Sequence, residues 1–284
     1  MNEPKTQIPR TISKWACHKL ECFGDFIESY AKKNTGGCYL ELFAGCDSYT
    51  CKGTDCIVDG SELRALRAKN GFSRCIFVVK DPLDAENLER LTAPLNTDDS
   101  VKIITGNCIQ GEVLRQAFDL IPRSAASLAL IDPPGYTRLR WSTIRKLASH
   151  GRDWKEHKID LLIIFPLEMA LLRNLARPDC EASINRLYGN QKWQPVRQKM
   201  LDEKMGKDEA RKKLVALFKA GLKSLGYRHV EDLKPARFSN PPYYHIIWAS
   251  DTESRIRELA DAWGKERYLP CELLYNKKRA EPNE

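Results

Sequence analysis

The chain reads as a doubly wound α/β domain, with a seven-stranded, mostly parallel sheet, an antiparallel last strand and helices on both faces. Three observations predict this. Short apolar runs of strand length alternate with segments of helical period. The runs are apolar throughout, as strands covered on both faces must be. Two of them, 38–43 and 127–131, end in glycine- or proline-bearing turns (Ala44-Gly45 and Asp132-Pro133-Pro134-Gly135), where open α/β sheets bind their ligands.

The elements follow in order. Residues 1–12 are polar and are expected to be disordered. From Ser13, Trp15, Leu20, Phe23, Phe26, Ile27 and Tyr30 recur at helical spacing until Asn34-Thr35-Gly36-Gly37 ends the helix. The first strand is 38–43, and a long loop bearing glycine and cysteine runs to Gly60. Ser61 is a plausible cap for a helix ending at Asn70-Gly71. Strand 75–79 leads to Lys80-Asp81-Pro82 and a helix over 84–91. Strand 101–105 closes with Gly106-Asn107, helix 111–120 leads to strand 127–131, and helix 142–149 precedes strand 160–165. Residues 168–207 form a helical insertion after strand five, and 208–225 an amphipathic helix. The last two strands, near 228–238 and 243–249, are joined by Asn240-Pro241-Pro242 as an antiparallel hairpin. A helix over 252–263 and a polar tail, 266–284, complete the chain.

Five β-α units followed by α-β-β is the element order of a Rossmann-like class I methyltransferase fold, with right-handed crossovers giving the doubly wound topology. Neither an internal repeat nor a Pro-, Gly- or Ser-rich linker divides the chain, so 13–265 is expected to be one domain. At 284 residues and 42% hydrophobic composition it can fill one core. No apolar run approaches membrane length, the first residues lack the apolar core of a signal peptide, and the ten cysteines are scattered through strands and helices. Reduced thiols and a cytoplasmic location are the expectation. Lys and Arg outnumber Asp and Glu by 46 to 38, for a net charge of +8, concentrated at Arg138, Arg140, Arg145 and Lys146 and from Lys199 to Lys213. Such charge suits a polyanionic partner, nucleic acid above all, and equally an ordinary solvated helix face.

Certain residues carry chemistry. In Glu41-Leu42-Phe43-Ala44-Gly45, a glycine just past a buried strand admits a ligand close to the backbone. Only one glycine is in register, which argues against a dinucleotide and allows a cofactor without phosphates, such as S-adenosyl-L-methionine. The same residues also read as a plain strand-to-helix turn. Asp81 can accept from ribose hydroxyls or simply form the turn before Pro82; Asn107 can meet an adenine edge or cap a turn. Asp132, Pro133 and Pro134 make a rigid turn with outward acceptors. A carboxylate and a neighbouring carbonyl can hold an exocyclic amine with its lone pair toward a methyl donor, so that catalysis is mostly orientation. The competing reading is a strand terminator. An aromatic residue that would stack on a target base is displaced by one position, to Tyr136, with Gly135 in its place. Cys46, Cys51 and Cys56 lack the tight spacing of zinc or iron–sulfur sites and are read as free thiols, with no metal assigned. The five histidines fall in no metal-spaced pair.

Trp15 to Leu20, Tyr39 to Gly45, Gly60-Ser61, Leu130 to Gly135, Trp141 to Ile144, 160–165, and Leu187-Tyr188-Gly189 with Trp193 recur, in this order, in one family. The chain resembles the three-Cys-motif partner protein (TcmP) family over roughly residues 13–250. That resemblance implies a fold similar to S-adenosylmethionine-dependent methyltransferases and a radical-SAM-like partner protein, which holds the three cysteines of the family name. By position it places Phe43, Ala44 and Gly45 in the cofactor loop, and Asp132, Pro133 and Gly135 at the active edge. Two functions follow as expectations: a methyltransferase acting on an exocyclic amine of a nucleic acid, or a non-catalytic partner that docks the radical-SAM-like protein or a nucleic acid. A redox module using the loop cysteines is a third.

Overall fold

A computed structural model describes residues 10–45, 48–53, 56–68, 71–96, 98–151, 158–233, 245–253, 257 and 259–261. The expected disorder over 1–9, the Asn240-Pro241-Pro242 connection, the polar tail and most of the terminal helix lie outside these residues.

Strand β1 (Arg10–Ile12) leads into α1 (Lys14–Lys33), whose Ser13 hydroxyl accepts the Ala16 N–H as a cap. Then come β2 (Cys38–Ala44), β3 (Ser48–Cys51), β4 (Ile57–Asp59) and α2 (Ser61–Arg67). Next are β5 (Arg74–Val79), α3 (Pro82–Thr92), β6 (Val101–Thr105), α4 (Gly111–Asp119), β7 (Ser127–Ile131), α5 (Trp141–Ser149) and β8 (Asp160–Phe165). A π-helical stretch, Leu167–Leu171, opens the insertion, followed by α6 (Leu172–Asn174), α7 (Glu181–Tyr188) and α8 (Gln194–Leu201). Helix α9 (Lys207–Ser224), β9 (His229–Leu233) and β10 (His245–Ser250) close the domain.

The main sheet has seven strands in the order β6-β5-β2-β7-β8-β10-β9. The first five are parallel to their neighbours, and β10 runs antiparallel to both β8 and β9. This is the Rossmann-like class I methyltransferase arrangement that the element order predicts, including the helical insertion after β8. The apolar runs become buried strands because helices cover both faces. One core contains Leu40, Ile131, Ile163 and Phe218; the other contains Phe23, Phe26, Leu128 and Trp248.

Three expectations need correction. Residues 10–12 are ordered as β1, and the loop after Gly45 contains a hairpin. Strands β1, β3 and β4 form a second sheet in that order, β1 parallel to β3 and β3 antiparallel to β4. The backbone groups of Arg10–Ile12 find partners there, and Arg10 reaches Asp84 on α3 at 2.5 Å. Ser61 lies inside α2 rather than capping it; Gly60 is the cap.

Candidate active site

Strands β6, β5, β2 and β7 are in parallel register, so their carboxyl ends line one edge of the sheet. Glu41 of β2 lies opposite both Phe77 of β5 and Leu130 of β7, and Val79 of β5 lies opposite Thr105 of β6. Asn107, Asp81, Gly45 and Asp132 therefore follow the ends of four adjacent strands. The sequence-predicted residues are brought to a common edge.

Glu41 sits inside β2 on the face toward α1 and α2, where it is buried. Its carboxylate accepts from the Tyr39 hydroxyl at 2.9 Å and the Ser61 hydroxyl at 2.8 Å. Glu62, also buried, accepts the Gly45 N–H at 2.7 Å. Burial raises the Glu41 pKa well above the ordinary carboxylate range, and the charges of Glu62 and Asp132 raise it further. A carboxyl so raised binds its proton in the folded chain at pH values where the unfolded chain has released it. Stability then declines as pH rises above the unfolded value of about 4.3. Glu41→Gln, which mimics the neutral acid, is expected to flatten that decline, gaining up to about 1.4 kcal/mol per pH unit over the wild type. Urea melts of both proteins from pH 4.5 to 8 check this; parallel pH profiles would refute it.

Phe43 is half-buried against the core and Ala44 is buried. Gly45 is outside the left-handed region, and a Cβ there would meet only the Tyr49 hydroxyl of β3, at 3.8 Å. The turn itself does not demand glycine. Asp81 caps α3 by accepting the Leu83 N–H at 2.9 Å, so the turn-forming role is real, although a carboxylate has room for further donors. Asn107 likewise accepts the Ile109 N–H at 3.3 Å and turns the chain into α4.

Asp132 is ion-paired with Lys19 of α1, their side chains 27% and 12% exposed. Pro133 is buried, Pro134 exposed. Gly135 is extended, and a Cβ on it would meet open space. Tyr136 corrects the expectation of a base-stacking or catalytic aromatic. It is 3% exposed and packed in the core, and its hydroxyl accepts from Ser183 of α7 at 3.3 Å. The chain after Gly135 turns inward to anchor the insertion, which consumes the ring.

Cys51 is buried on β3, where its N–H meets the Cys56 carbonyl at 2.9 Å, and Cys46 lies outside the described residues. No cluster of three metal-ligating side chains occurs among the described residues. Of the basic residues, Arg138, Arg145 and Lys146 are exposed, whereas Lys204, Arg211 and Lys213 are paired with Asp202, Asp208 and Glu209. Sequence reasoning missed Glu62 and the pairing of Lys19 with Asp132; from the sequence, Lys19 and Trp15 of the first helix read as residues that could line the cleft, against a surface lysine and a core tryptophan. Glu62 had a faint signal, a carboxylate on the apolar side of a short helix. The Lys19 pair spans 113 positions and has none.

No protein-family profile matches the chain, and no curated protein is similar to it. Among solved structures it is similar to the methyltransferase domain of bacterial CtHen1-C, at 11% identity and TM-score 0.44, covering 83% of this chain and 100% of that one. It is also similar to a provisionally named caffeoyl-CoA O-methyltransferase from Staphylococcus aureus, at 13% identity and TM-score 0.41, covering 80% and 82%. A conserved hypothetical protein from Streptococcus pyogenes is similar at 20% identity and TM-score 0.31, covering 46% and 67%.

Proposed function

We propose that this chain is an S-adenosyl-L-methionine-dependent methyltransferase that acts on an amine, the exocyclic amine of a nucleic-acid base. The observation that carries the reading is the arrival of Gly45 and Asp132 at the ends of neighbouring strands, with Asp81 and Asn107 on the same edge. The donor set suits the cofactor. Glu62, Asp81 and Asp132 give the edge an acidic character that complements a ligand bearing sulfonium and ammonium charges, and no second glycine is in register to cradle a pyrophosphate. Asp81 would take the ribose hydroxyls and Asn107 the adenine edge, with Phe43, Ala44 and Gly45 against the amino-acid end. When bound, the cofactor supplies an electrophilic methyl group.

Asp132 accepts a hydrogen bond from the acceptor amine and fixes the direction of its lone pair. Pro133 and Pro134 hold that carboxylate and the adjoining carbonyls rigid. A base in a duplex would have to leave the stack to reach the edge, and the exposed Arg138, Arg145 and Lys146 would meet backbone phosphates. Calorimetric titration with S-adenosylmethionine and with its demethylated product is expected to give saturable one-to-one binding. Absence of heat from both, with the protein folded by circular dichroism, would overturn the reading.

One observation favours a second reading: Asp132 is already engaged by Lys19, and no ring is available at Tyr136. On that reading the chain keeps the fold as a TcmP-type partner of a radical-SAM-like protein. Co-purification of that protein, undiminished by Asp132→Ala and with no donor binding, would support it. No helix among the described residues is long and apolar enough to cross a membrane.

A further inference from the structure

Lys19 does not behave as a surface lysine. Long cationic side chains on a helix usually lay their stems on apolar surface and carry the charge into water. The Lys19 side chain is only 12% exposed and ends on the carboxylate of Asp132, which belongs to a different layer of the fold. Its ammonium also lies 5.7 Å from the centre of the Trp15 ring and 5.7 Å from that of Phe23, one helical turn to either side. Both distances fall within the range, about 6 Å, at which a ring attracts a cation.

Two aromatic rings and a carboxylate converging on one ammonium provide the recognition chemistry for an alkylammonium ligand. The carboxylate supplies charge and takes N–H donors; the rings stabilise the cation without competing for its protons. A neutral base amine gains from the carboxylate and little from the rings. We propose that Trp15, Phe23 and Asp132 form a binding site for a primary alkylammonium group, which Lys19 fills from within the chain. Lys19 thus occupies the carboxylate from within, and any amine that is to use Asp132 must first displace it. That last consequence rests on the reading of Asp132 as the acceptor's partner; the binding site itself does not.

Lys19→Ala removes three carbons and the nitrogen, so n-propylammonium chloride replaces the deleted atoms. Titrated at matched ionic strength without methyl donor, Lys19→Ala is expected to bind it saturably in the millimolar range. The wild type and the Lys19→Ala/Asp132→Asn double variant should each bind at least tenfold more weakly. Equal binding by all three, or none by the single variant, overturns the proposal. Should Lys19→Ala fail to fold, labelling of the intact wild type decides. Acylation by an amine-reactive ester, read by peptide mass spectrometry, should be slower at Lys19 than at the exposed Lys80 and Lys146, and at least fivefold faster at Lys19 in Asp132→Asn. Uniform rates refute the site. Because no methyl donor is present, failure here leaves the methyltransferase reading to its own titration.

Discussion

Gly189→Ala destabilises the domain by about 3 to 5 kcal/mol, lowering the thermal midpoint by roughly 5 to 8 °C. Two costs combine. Gly189 ends α7 at φ +68°, in the left-handed region that a Cβ penalises by about 1–2 kcal/mol. A Cβ there would also lie 2.2 Å from Cδ1 of Trp141 and 2.5 Å from its Cγ, so the indole would have to move. It has little room to do so. The far edge of the same ring stands 2.6 Å from where a Cβ on Gly221 of α9 would be, and the ring meets Phe218 edge-on at 5.5 Å. The indole is wedged between the end of α7 and the last turns of α9, and it ties the insertion to α9. Trp141→Ala should therefore be strongly non-additive with Gly189→Ala, the pair being less damaging than the sum by 1 kcal/mol or more. Differential scanning calorimetry of the cycle tests this, and simple additivity would show that the wedge is not the cause.

Asp132→Asn is the larger effect on chemistry. It keeps the shape of the side chain and removes the charge that pairs with Lys19 and that, on the proposed function, would hold the acceptor amine. Methyl incorporation from labelled S-adenosylmethionine into bulk nucleic acid is expected to fall at least 100-fold, a loss of about 2.7 kcal/mol in transition-state stabilisation. Donor affinity should change by less than threefold, because Gly45, Asp81 and Asn107 lie on other strands. A proportional loss of donor binding and transfer would mean that Asp132 holds the cofactor instead. Unchanged transfer would remove it from the reaction.

The sheet was legible because its strands are covered on both faces. The runs 101–105, 127–131 and 160–165 coincide with β6, β7 and β8, and Asn34 terminates α1 as its type suggests. What escaped was short, polar or distant. Arg10–Ile12, Ser48–Cys51 and Ile57–Asp59 carry no periodic signal, since each is a short strand defined by its partners more than by its own side chains. Tyr136 was read as a ligand-facing ring from its place after Pro-Pro, but the burial of that ring depends on where α7 packs. Glu41, Gly45 and Asp132 could be named from the sequence. That burial raises the Glu41 pKa and that Asp132 is occupied by Lys19 are consequences of packing between segments far apart in the chain.

Strand β10 sits between β8 and β9, bonded to both and buried along its whole length, while among the described residues β9 pairs only with β10. During synthesis β9 leaves the ribosome before β10 exists, and the flank of β8 that β10 covers stays bare until residues 245–250 emerge. Every nascent chain thus passes through a stage with an apolar ladder open to strangers. A stop codon before His245 would leave the flank of β8 and all of β9 without the strand that joins them, and the expected product is an aggregate rather than a smaller folded domain.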